Sequence, residues 1–367
     1  MPNYDLTNLA LQIAAPNNVL MYDDLGDPSV MVRIPKFKIG DVIEGGGDGT
    51  HPAFIVNGAE KDCIYISKYQ NVVNNGRAYS LPMQDPAAML NFDQAWQYCK
   101  QKGPGWHLMT NAEFAAIALW CKKNGFMPKG NNSFGKDSTE GALPQRAQGT
   151  YYGSDGRINR TATGSGPASW YHDNTSAGIA DLNGNVWEWN GGLRLVDGEI
   201  QIIPNNDAAD WNNPLTPTST LWRAIKPDGT LVAPGTAGTL KYGTNWSNTK
   251  FASIVTTPAA TGAGITLLES LGLIPHTGAS SADYGDDAVW ANTAGERLPV
   301  RGGYWYDAAS AGVFALYLNN ARSNVNTNIG FRAAFSHSQI LYTYGVYFQY
   351  GKKKELASAP TFDASPQ

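Results

Sequence analysis

The sequence predicts an α+β domain, and three observations support this prediction. Two segments, 91–100 and 110–125, combine helix-start signals with apolar stripes. Beyond Gly125, short apolar segments alternate with turn-forming clusters, which is typical of strands joined by loops. The chain has 40 Gly, 21 Pro and only 16% charged residues, so loops and neutral polar side chains must cover much of its surface. A helix pair followed by irregular β structure is an α+β arrangement.

The N-terminal part predicts an arm and two strands. Residues 1–30 are short apolar patches broken by Pro-Asn-Asn and Gly-Asp-Pro, so we expect an arm outside the core. Residues 31–40 (MVRIPKFKIG) predict a strand that ends at Gly40, and a glycine-rich loop follows over 44–50. The alternation in residues 63–69 (CIYISKY) predicts a second strand.

Both predicted helices begin with a capping box. In the first, Asn91 caps and Gln94 reaches back, and an apolar stripe follows at Phe92, Ala95, Trp96 and Cys99. In the second, Thr110 and Glu113 form the box, and the apolar face comprises Phe114, Ile117, Ala118 and Cys121. Lys122, Lys123 and then Gly125 indicate where this helix ends.

The remaining chain divides into one domain and a tail. A Thr/Ala/Gly/Pro-rich stretch covers 214–263, and no internal repeat is found. We predict one domain over 31–336, followed by a C-terminal strand and loose tail over 337–367. Within that last part, residues 340–350 predict either one strand or two strands.

Composition and charge exclude several kinds of partner. The net charge is −4 with a pI near 5.7, so no basic footprint for nucleic acid or an acidic membrane is present. No apolar run reaches the roughly 18 residues of a membrane helix, and the first basic residue is Arg33. We therefore expect synthesis in the cytoplasm without a signal peptide and without membrane insertion. Apolar residues make up 42%, enough for a substantial core.

The usual signatures of catalysis and metal binding are not found. The five histidines form no short ligand pair, the sequence GGGDGT at 45–50 lacks the Lys-Ser/Thr of a phosphate loop, and there is no GxSxG motif. Three cysteines are too few for a disulfide framework. The acidic loops 137–141 and 283–287 offer oxygen ligands for calcium, although solvated turns are favoured. We therefore predict no catalytic residues, no metal site and no cofactor.

Four segments built on Trp, Gly and Arg stand out. They are WHLMTNAEF (106–114), DLNGNVWEW (181–189), RGGYW (301–305) and GFRAAF (330–335). Trp187 and Trp189 would each bury a large apolar area. Arg301 and Arg332 are suited to tie loop carbonyls or carboxylates such as Glu188 together, so a scaffold role is favoured.

The order of these segments resembles the formylglycine-generating-enzyme (sulfatase-modifying factor) domain, a variety of the C-type lectin fold, over roughly residues 31–336. This resemblance implies two helices on a small twisted antiparallel sheet with long ordered loops. Enzymes of that family carry two redox cysteines between RGGYW and GFR, but here all cysteines precede residue 122. The histidine cluster of iron-dependent relatives and the EPN, QPD and WND motifs of calcium-dependent lectins are also absent. The chain therefore resembles the family in fold without its enzymatic site, and we predict that it is not an enzyme.

Residues 304–328 have the composition of recognition loops. Tyrosine offers contact area at low rotamer entropy, and Asn and Ser offer adaptable hydrogen bonds. The segment VFALYL (313–318) predicts a strand that anchors the stretch. We predict that one exposed ligand-binding patch is formed by Tyr304, Tyr306, Asp307, Ala308, Ser310, Tyr317, Asn319, Asn320, Asn324, Val325 and Asn326.

The frame RGGxW…AGVFAL…LNNARSN…NIGFRAA also resembles variable proteins of diversity-generating retroelements in gut-type bacteria and their phages. In that subfamily, adenine-directed mutagenesis rewrites codons of a C-terminal stretch, mostly AAY. Changing only the adenines of AAY gives codons for Tyr, Asp, Ala, Ser and Val. Those residue types occupy Tyr304, Tyr306, Asp307, Ala308, Ala309, Ser310, Tyr317 and Val325.

The resemblance implies a ligand- or receptor-binding protein that displays a diversified surface on a C-type lectin scaffold. It further implies a phage receptor-binding or tail-associated role, so assembly into a virion is expected. The partner would be a protein or glycan receptor on a target cell, and a homo-oligomer is compatible with the sequence. The alternatives are a formylglycine-generating-type oxidase and a calcium-dependent lectin.

Overall fold

The computed structural model describes residues 5–141 and 147–336, so the predicted C-terminal strand and tail over 337–367 lie outside the described residues. The described part has five α-helices: α1 (Leu6–Ala14), α2 (Ile39–Val42), α3 (Phe92–Lys100), α4 (Asn111–Asn124) and α5 (Ala263–Ser270). None of them is both long enough and apolar enough to cross a membrane.

The first ten strands are β1 (Asn18–Tyr22), β2 (Pro28–Pro35), β3 (Ile55–Val56), β4 (Ala59–Glu60), β5 (Cys63–Ser67), β6 (Val72–Asn74), β7 (Arg77–Tyr79), β8 (Trp106–Leu108), β9 (Gly149–Tyr152) and β10 (Ile158–Thr161). The others are β11 (Trp187–Trp189), β12 (Leu193–Val196), β13 (Glu199–Ile202), β14 (Arg223–Ile225), β15 (Leu231–Val232), β16 (Trp246–Lys250), β17 (Ala288–Ala291), β18 (Glu296–Gly302), β19 (Gly312–Asn320), β20 (Ile329–Phe331) and β21 (Ala333–Phe335).

The two helices predicted from capping boxes are confirmed as α3 and α4. The Asn91 side chain accepts the Gln94 backbone N–H, and the Gln94 side chain accepts the Asn91 backbone N–H. Thr110 and Glu113 form the same pair of hydrogen bonds at the start of α4. Gly125 takes a φ of +72° and ends α4, a conformation that favours glycine. Local capping chemistry therefore set these boundaries.

A five-stranded sheet in the order β1-β2-β5-β21-β8 forms one layer. The predicted strand over 63–69 is confirmed as β5, but the strand predicted over 31–40 runs over Pro28–Pro35 and is followed by α2. The predicted arm over 1–30 is wrong for residues 18–30, because β1 pairs with β2 along its whole length. Pairing with a neighbouring strand satisfies backbone groups that an isolated arm would leave to water.

The second sheet is larger than the predicted small antiparallel sheet. Its ten strands follow the order β15-β14-β13-β12-β18-β19-β17-β16, and β11 lies between β18 and β20. It is a mixed sheet, because β11 pairs with β20 and β17 pairs with β19 in parallel. Parallel pairing needs distant segments to meet, so alternation within one segment did not reveal it.

The last two described strands pair with strands from distant parts of the chain. β21 lies between β5 and β8, and β20 pairs with β11. The strand predicted from VFALYL is confirmed as β19, and α4 packs against it. The stretch between β18 and β20 therefore passes through the core as β19, and the loops over 303–311 and 321–328 lie on either side of that strand.

Candidate binding surface

A buried ion pair fixes the end of the candidate segment. Arg332 donates from Nε and Nη2 to the two carboxylate oxygens of Glu188, each at 2.8 Å, and neither side chain is exposed beyond 1%. The same guanidinium donates to the backbone carbonyls of Ser67, Lys68 and Ala180. The predicted scaffold role of Arg332 and Glu188 is confirmed, because the hydrogen bonds of this guanidinium connect four separate segments of the chain.

Arg301 and Gly302 fix the start of the segment. Arg301 is fully buried and donates to Asn111 Oδ1 and to the backbone carbonyls of Leu271 and Gly272. Among the described residues it has no carboxylate partner. Burial lowers the pKa of its guanidinium to about 10. A Cβ on Gly302, whose φ is +95°, would lie 2.7 Å from the carbonyl oxygen of Leu182. Two backbones therefore approach closely at this glycine.

Two tryptophans lie beneath the segment. Trp189 is fully buried, and its Nε1–H donates to the Leu90 carbonyl. The ring of Trp187, also buried, lies 5.6 Å from the ring of Tyr317 and 5.8 Å from that of Trp290. The predicted burial of both indoles is confirmed. Trp187 therefore supports the aromatic part of the surface from below.

Three predicted tyrosines and one further tryptophan form what we call the aromatic patch: Tyr304, Tyr306, Tyr317 and Trp290. Tyr306 is 63% exposed, whereas the other three are half-buried. The rings of Tyr304 and Tyr306 are 6.4 Å apart, and those of Tyr317 and Trp290 are 5.7 Å apart. Tyr304, Tyr317 and Trp290 pack on the same core cluster. The core cluster therefore holds three of the four rings of the aromatic patch in place.

The turn after Tyr306 carries the next three predicted residues. Asp307 is half-buried, and its Oδ2 accepts the Tyr304 N–H at 3.1 Å. Ala308 is exposed, and the half-buried Ser310 donates its hydroxyl to Asn248 Oδ1 at 2.7 Å. Asp307 therefore holds the turn that presents Tyr304 and Tyr306.

The asparagine end of the segment is less uniform than predicted. Val325 and Asn326 are exposed, and Asn319 and Asn324 are half-buried. Asn320 is buried, contrary to the prediction, because alternation along β19 sends it to the core side with Leu316 and Leu318. Its Oδ1 accepts a hydrogen bond from the Asn324 side chain at 3.0 Å. Asn320 therefore supports the surface instead of facing solvent.

Residues from distant segments complete the surface, and sequence reasoning missed them. Trp290 lies on β17, in register with Tyr317 on β19. The Phe134 ring lies 5.2 Å from that of Tyr306, and the Arg157 guanidinium lies 3.5 Å from the centre of the Phe134 ring. The only sequence signal for Trp290 is its alternation with the buried Val289.

The two acidic loops have structural roles. Asp137 is buried and accepts hydrogen bonds from the Gly130 N–H and the Asn132 amide. Asp287 is buried and accepts the Phe314 N–H at 2.6 Å, and burial holds its pKa well above the usual range. The favoured interpretation as solvated turns is therefore wrong for these two side chains. Over residues 5–141 and 147–336, no three His, Cys, Asp or Glu side chains are grouped to hold a metal ion.

None of the three cysteines belongs to the aromatic patch. Cys99 on α3 and Cys121 on α4 are buried, and burial raises the pKa of both thiols. Cys63 is half-buried on β5. All three are free thiols. A thiol whose pKa is raised is a poor nucleophile at neutral pH.

We expect the stability of the folded chain to depend on pH because of Asp307. Burial raises its pKa to about 7, so the folded chain holds a proton that the unfolded chain releases near pH 4. Stability contributed by the protonated carboxyl is present below about pH 4 and is lost as the pH rises towards about 7. We expect Asp307→Asn to raise the melting temperature by about 2–4 °C at pH 8 and to leave it unchanged at pH 4.

Thermal unfolding followed by circular dichroism at both pH values tests this expectation. Asp286→Asn is the matched control, because the Asp286 side chain is 53% exposed beside Lys250. A shift of the same size at both pH values would contradict the assignment to Asp307.

Part of the chain is similar to a known protein family. Residues 27–194 match the family described as the sulfatase-modifying factor enzyme 1-like domain, which confirms the predicted resemblance for that region. The match ends at Arg194, before the strands that frame residues 304–328. No curated protein sequence matches significantly.

Three solved structures are similar to the chain at low sequence identity. PvdO from Pseudomonas aeruginosa is 16% identical, with a TM-score of 0.37 over 87% of this chain and 98% of that chain. Treponema denticola variable protein 1 is 12% identical, with a TM-score of 0.33 over 87% and 99%. The Major Tropism Determinant I1 variant is 14% identical, with a TM-score of 0.33 over 86% of this chain but only 55% of that chain.

Proposed function

We propose that the chain, whose residues 27–194 match the sulfatase-modifying factor enzyme 1-like domain, is a non-enzymatic protein that binds a receptor through its 304–328 surface. The partner is a protein or glycan on a target cell. The surface is diversified at the DNA level, and the protein acts in phage receptor binding or as a tail-associated component.

The observation that carries this proposal is that residues 304–328 include exposed side chains, whereas the residues that flank this segment are buried. Arg301 and Arg332, at the two ends, are fully buried and tied to several segments. Tyr306, Ala308, Val325 and Asn326, between them, are exposed. Surface side chains usually change with an effect within about 0.5 kcal/mol, whereas core changes cost several. Because the two buried arginines hold the ends of the segment, the exposed side chains between them can vary without unfolding the domain.

The chemistry of the surface suits recognition better than catalysis. The aromatic patch offers large contact area on rings that keep little rotamer freedom, and asparagine and serine amides and hydroxyls lie around it. The chain has no cysteine between residues 122 and 367, so the redox pair of the family's enzymes has no counterpart in this segment. Binding is the function that this arrangement supports best.

Sequencing of the neighbouring DNA tests the diversification. We expect a near-copy of the codons for residues 304–328 that differs at adenines, beside a reverse transcriptase gene. A locus with neither feature would overturn the proposal that the surface is diversified. The binding experiment below would then test whether the surface is a fixed binding site.

Binding to a glycan array and to a panel of intact bacterial cells tests the recognition. We expect the triple variant Tyr304→Ala, Tyr306→Ala, Tyr317→Ala to lose about 100-fold or more in affinity, because aromatic anchors usually dominate interface energy. A control triple variant replaces Leu25, Phe126 and Val255, which are 68%, 38% and 66% exposed elsewhere on the chain. Equal loss in both variants would contradict the assignment.

The same preparation separates the two alternatives. Copper-dependent oxidation of a cysteine peptide, abolished by a change at Cys63, Cys99 or Cys121, would favour an oxidase. Glycan binding that disappears with a calcium chelator would favour a calcium-dependent lectin. We expect neither result.

A further inference from the structure

A cavity of about 500 Å³ lies away from the 304–328 segment. Its walls come from β2, from α2, from the C-terminal half of α4 and from the loop around His172. None of the eleven residues predicted to bind a ligand lines it. Its volume lies within the range of sites that hold small molecules, about 300–1,000 Å³.

The inner wall of the cavity is apolar and partly aromatic. Val32 and Ile34 of β2 and Ile117 of α4 belong to the main core cluster, and Phe37 and Trp120 pack against that cluster while remaining partly exposed. Trp120 and Phe37 therefore leave ring surface available to an apolar group.

His172 supplies a hydrogen-bond donor that faces the cavity at the rim of this wall. The side chain is 6% exposed, and its ring lies 5.2 Å from the Trp120 ring. Its Nδ1 accepts the Ile179 N–H at 2.8 Å, so the neutral ring carries its proton on Nε2. Nε2 has no hydrogen-bond partner among the residues that the structure describes. Burial lowers the pKa of His172 to about 4, so the ring is neutral at physiological pH.

Two of the three cations that line the cavity have no ion-pair partner among the described residues. Of its cations, Lys36 pairs with Glu60 at 2.8 Å, whereas Arg33 and Lys123 have no ion-pair partner within residues 5–141 and 147–336. Asp41 accepts the Lys38 N–H, and Asp173 accepts the N–H and hydroxyl of Thr175. Both carboxylates therefore already have donors of their own.

We propose that this cavity is a second binding site, for a small molecule in which an apolar ring carries a carboxylate. The ring lies against Trp120 and Phe37, and the carboxylate accepts hydrogen bonds from His172 Nε2–H and Lys123 Nζ. A donor that faces the cavity and has no protein partner is available to a bound acceptor, and an anionic acceptor gives the stronger, charge-assisted hydrogen bond. The site is independent of the diversified surface, and it remains the same when residues 304–328 change.

Isothermal titration calorimetry of the full chain with matched probes tests this proposal. Phenylacetate and naphthylacetate are expected to bind with a Kd of about 1 mM or below. Phenylacetamide should bind about tenfold more weakly, because it lacks the charge, and phenethylamine should give no heat. Absence of heat from both carboxylates up to about 10 mM, or equal affinity for carboxylate and amine, would overturn the proposal.

Variants assign the binding to this cavity. Lys123→Gln, at an exposed position that the fold tolerates, should weaken naphthylacetate binding about tenfold, as should His172→Phe. Lys241→Gln, an exposed lysine outside the cavity, is the matched control and should bind like the unmodified chain. Because His172→Phe also removes the acceptor for the Ile179 N–H, unchanged binding in Lys123→Gln alone is sufficient to reject the site.

Discussion

Replacing Arg332 by methionine is expected to lower the free energy of unfolding by about 4 kcal/mol, the cost typical of breaking a buried ion pair. The variant leaves the Glu188 carboxylate, which is 1% exposed, without its positive partner. It also leaves the carbonyls of Ser67, Lys68 and Ala180 without the guanidinium donors. Urea unfolding followed by tryptophan fluorescence measures the loss as a lower midpoint at an unchanged slope.

An exposed arginine pair provides the control for this experiment. Arg157 donates to Asp155 at 2.6 Å, but both side chains are about half exposed, so Arg157→Met should cost at most about 1 kcal/mol. Adding Glu188→Gln to Arg332→Met should recover part of the loss, because it removes the uncompensated charge. Equal losses in the free energy of unfolding for Arg332→Met and Arg157→Met would show that the buried Arg332–Glu188 pair does not stabilise the scaffold.

Replacing Trp189 by alanine is expected to cost about 3–5 kcal/mol, whereas Tyr306→Ala should stay within about 0.5 kcal/mol. Trp189 is fully buried, packs edge-on against Phe92 at 5.9 Å and donates to the Leu90 carbonyl, so its loss leaves a cavity and an unpaired acceptor. Tyr306 is 63% exposed, and its ring contacts Phe134 and Tyr304 at the surface.

The comparison of these two aromatic residues measures the separation between scaffold and surface. Thermal and urea unfolding of both single variants and of the double variant give the two costs and their coupling. Since the two rings share no contact, the costs should add within about 0.5 kcal/mol. A Tyr306→Ala variant as unstable as Trp189→Ala would contradict a surface that tolerates diversification.

Local signals in the chain were sufficient for features that depend on neighbouring residues. The capping boxes at Asn91 and Thr110 predicted α3 and α4, because cap hydrogen bonds form within one helical turn. The alternation in VFALYL predicted β19, and the Trp, Gly and Arg segments indicated which side chains are buried. The missing cysteines between RGGYW and GFR are likewise a property of the sequence alone.

Tertiary structure decided whatever depends on contacts between distant segments. The pairing of β1 with β2 brought residues 18–30 into a sheet, and the parallel pairs β11–β20 and β17–β19 enlarged the second sheet. The same long-range pairing placed Trp290 beside Tyr317. Asn320 became buried because the strand that carries it turns every second side chain towards the core. Such pairings depend on which strands meet after folding, and short-range alternation and composition do not encode that choice.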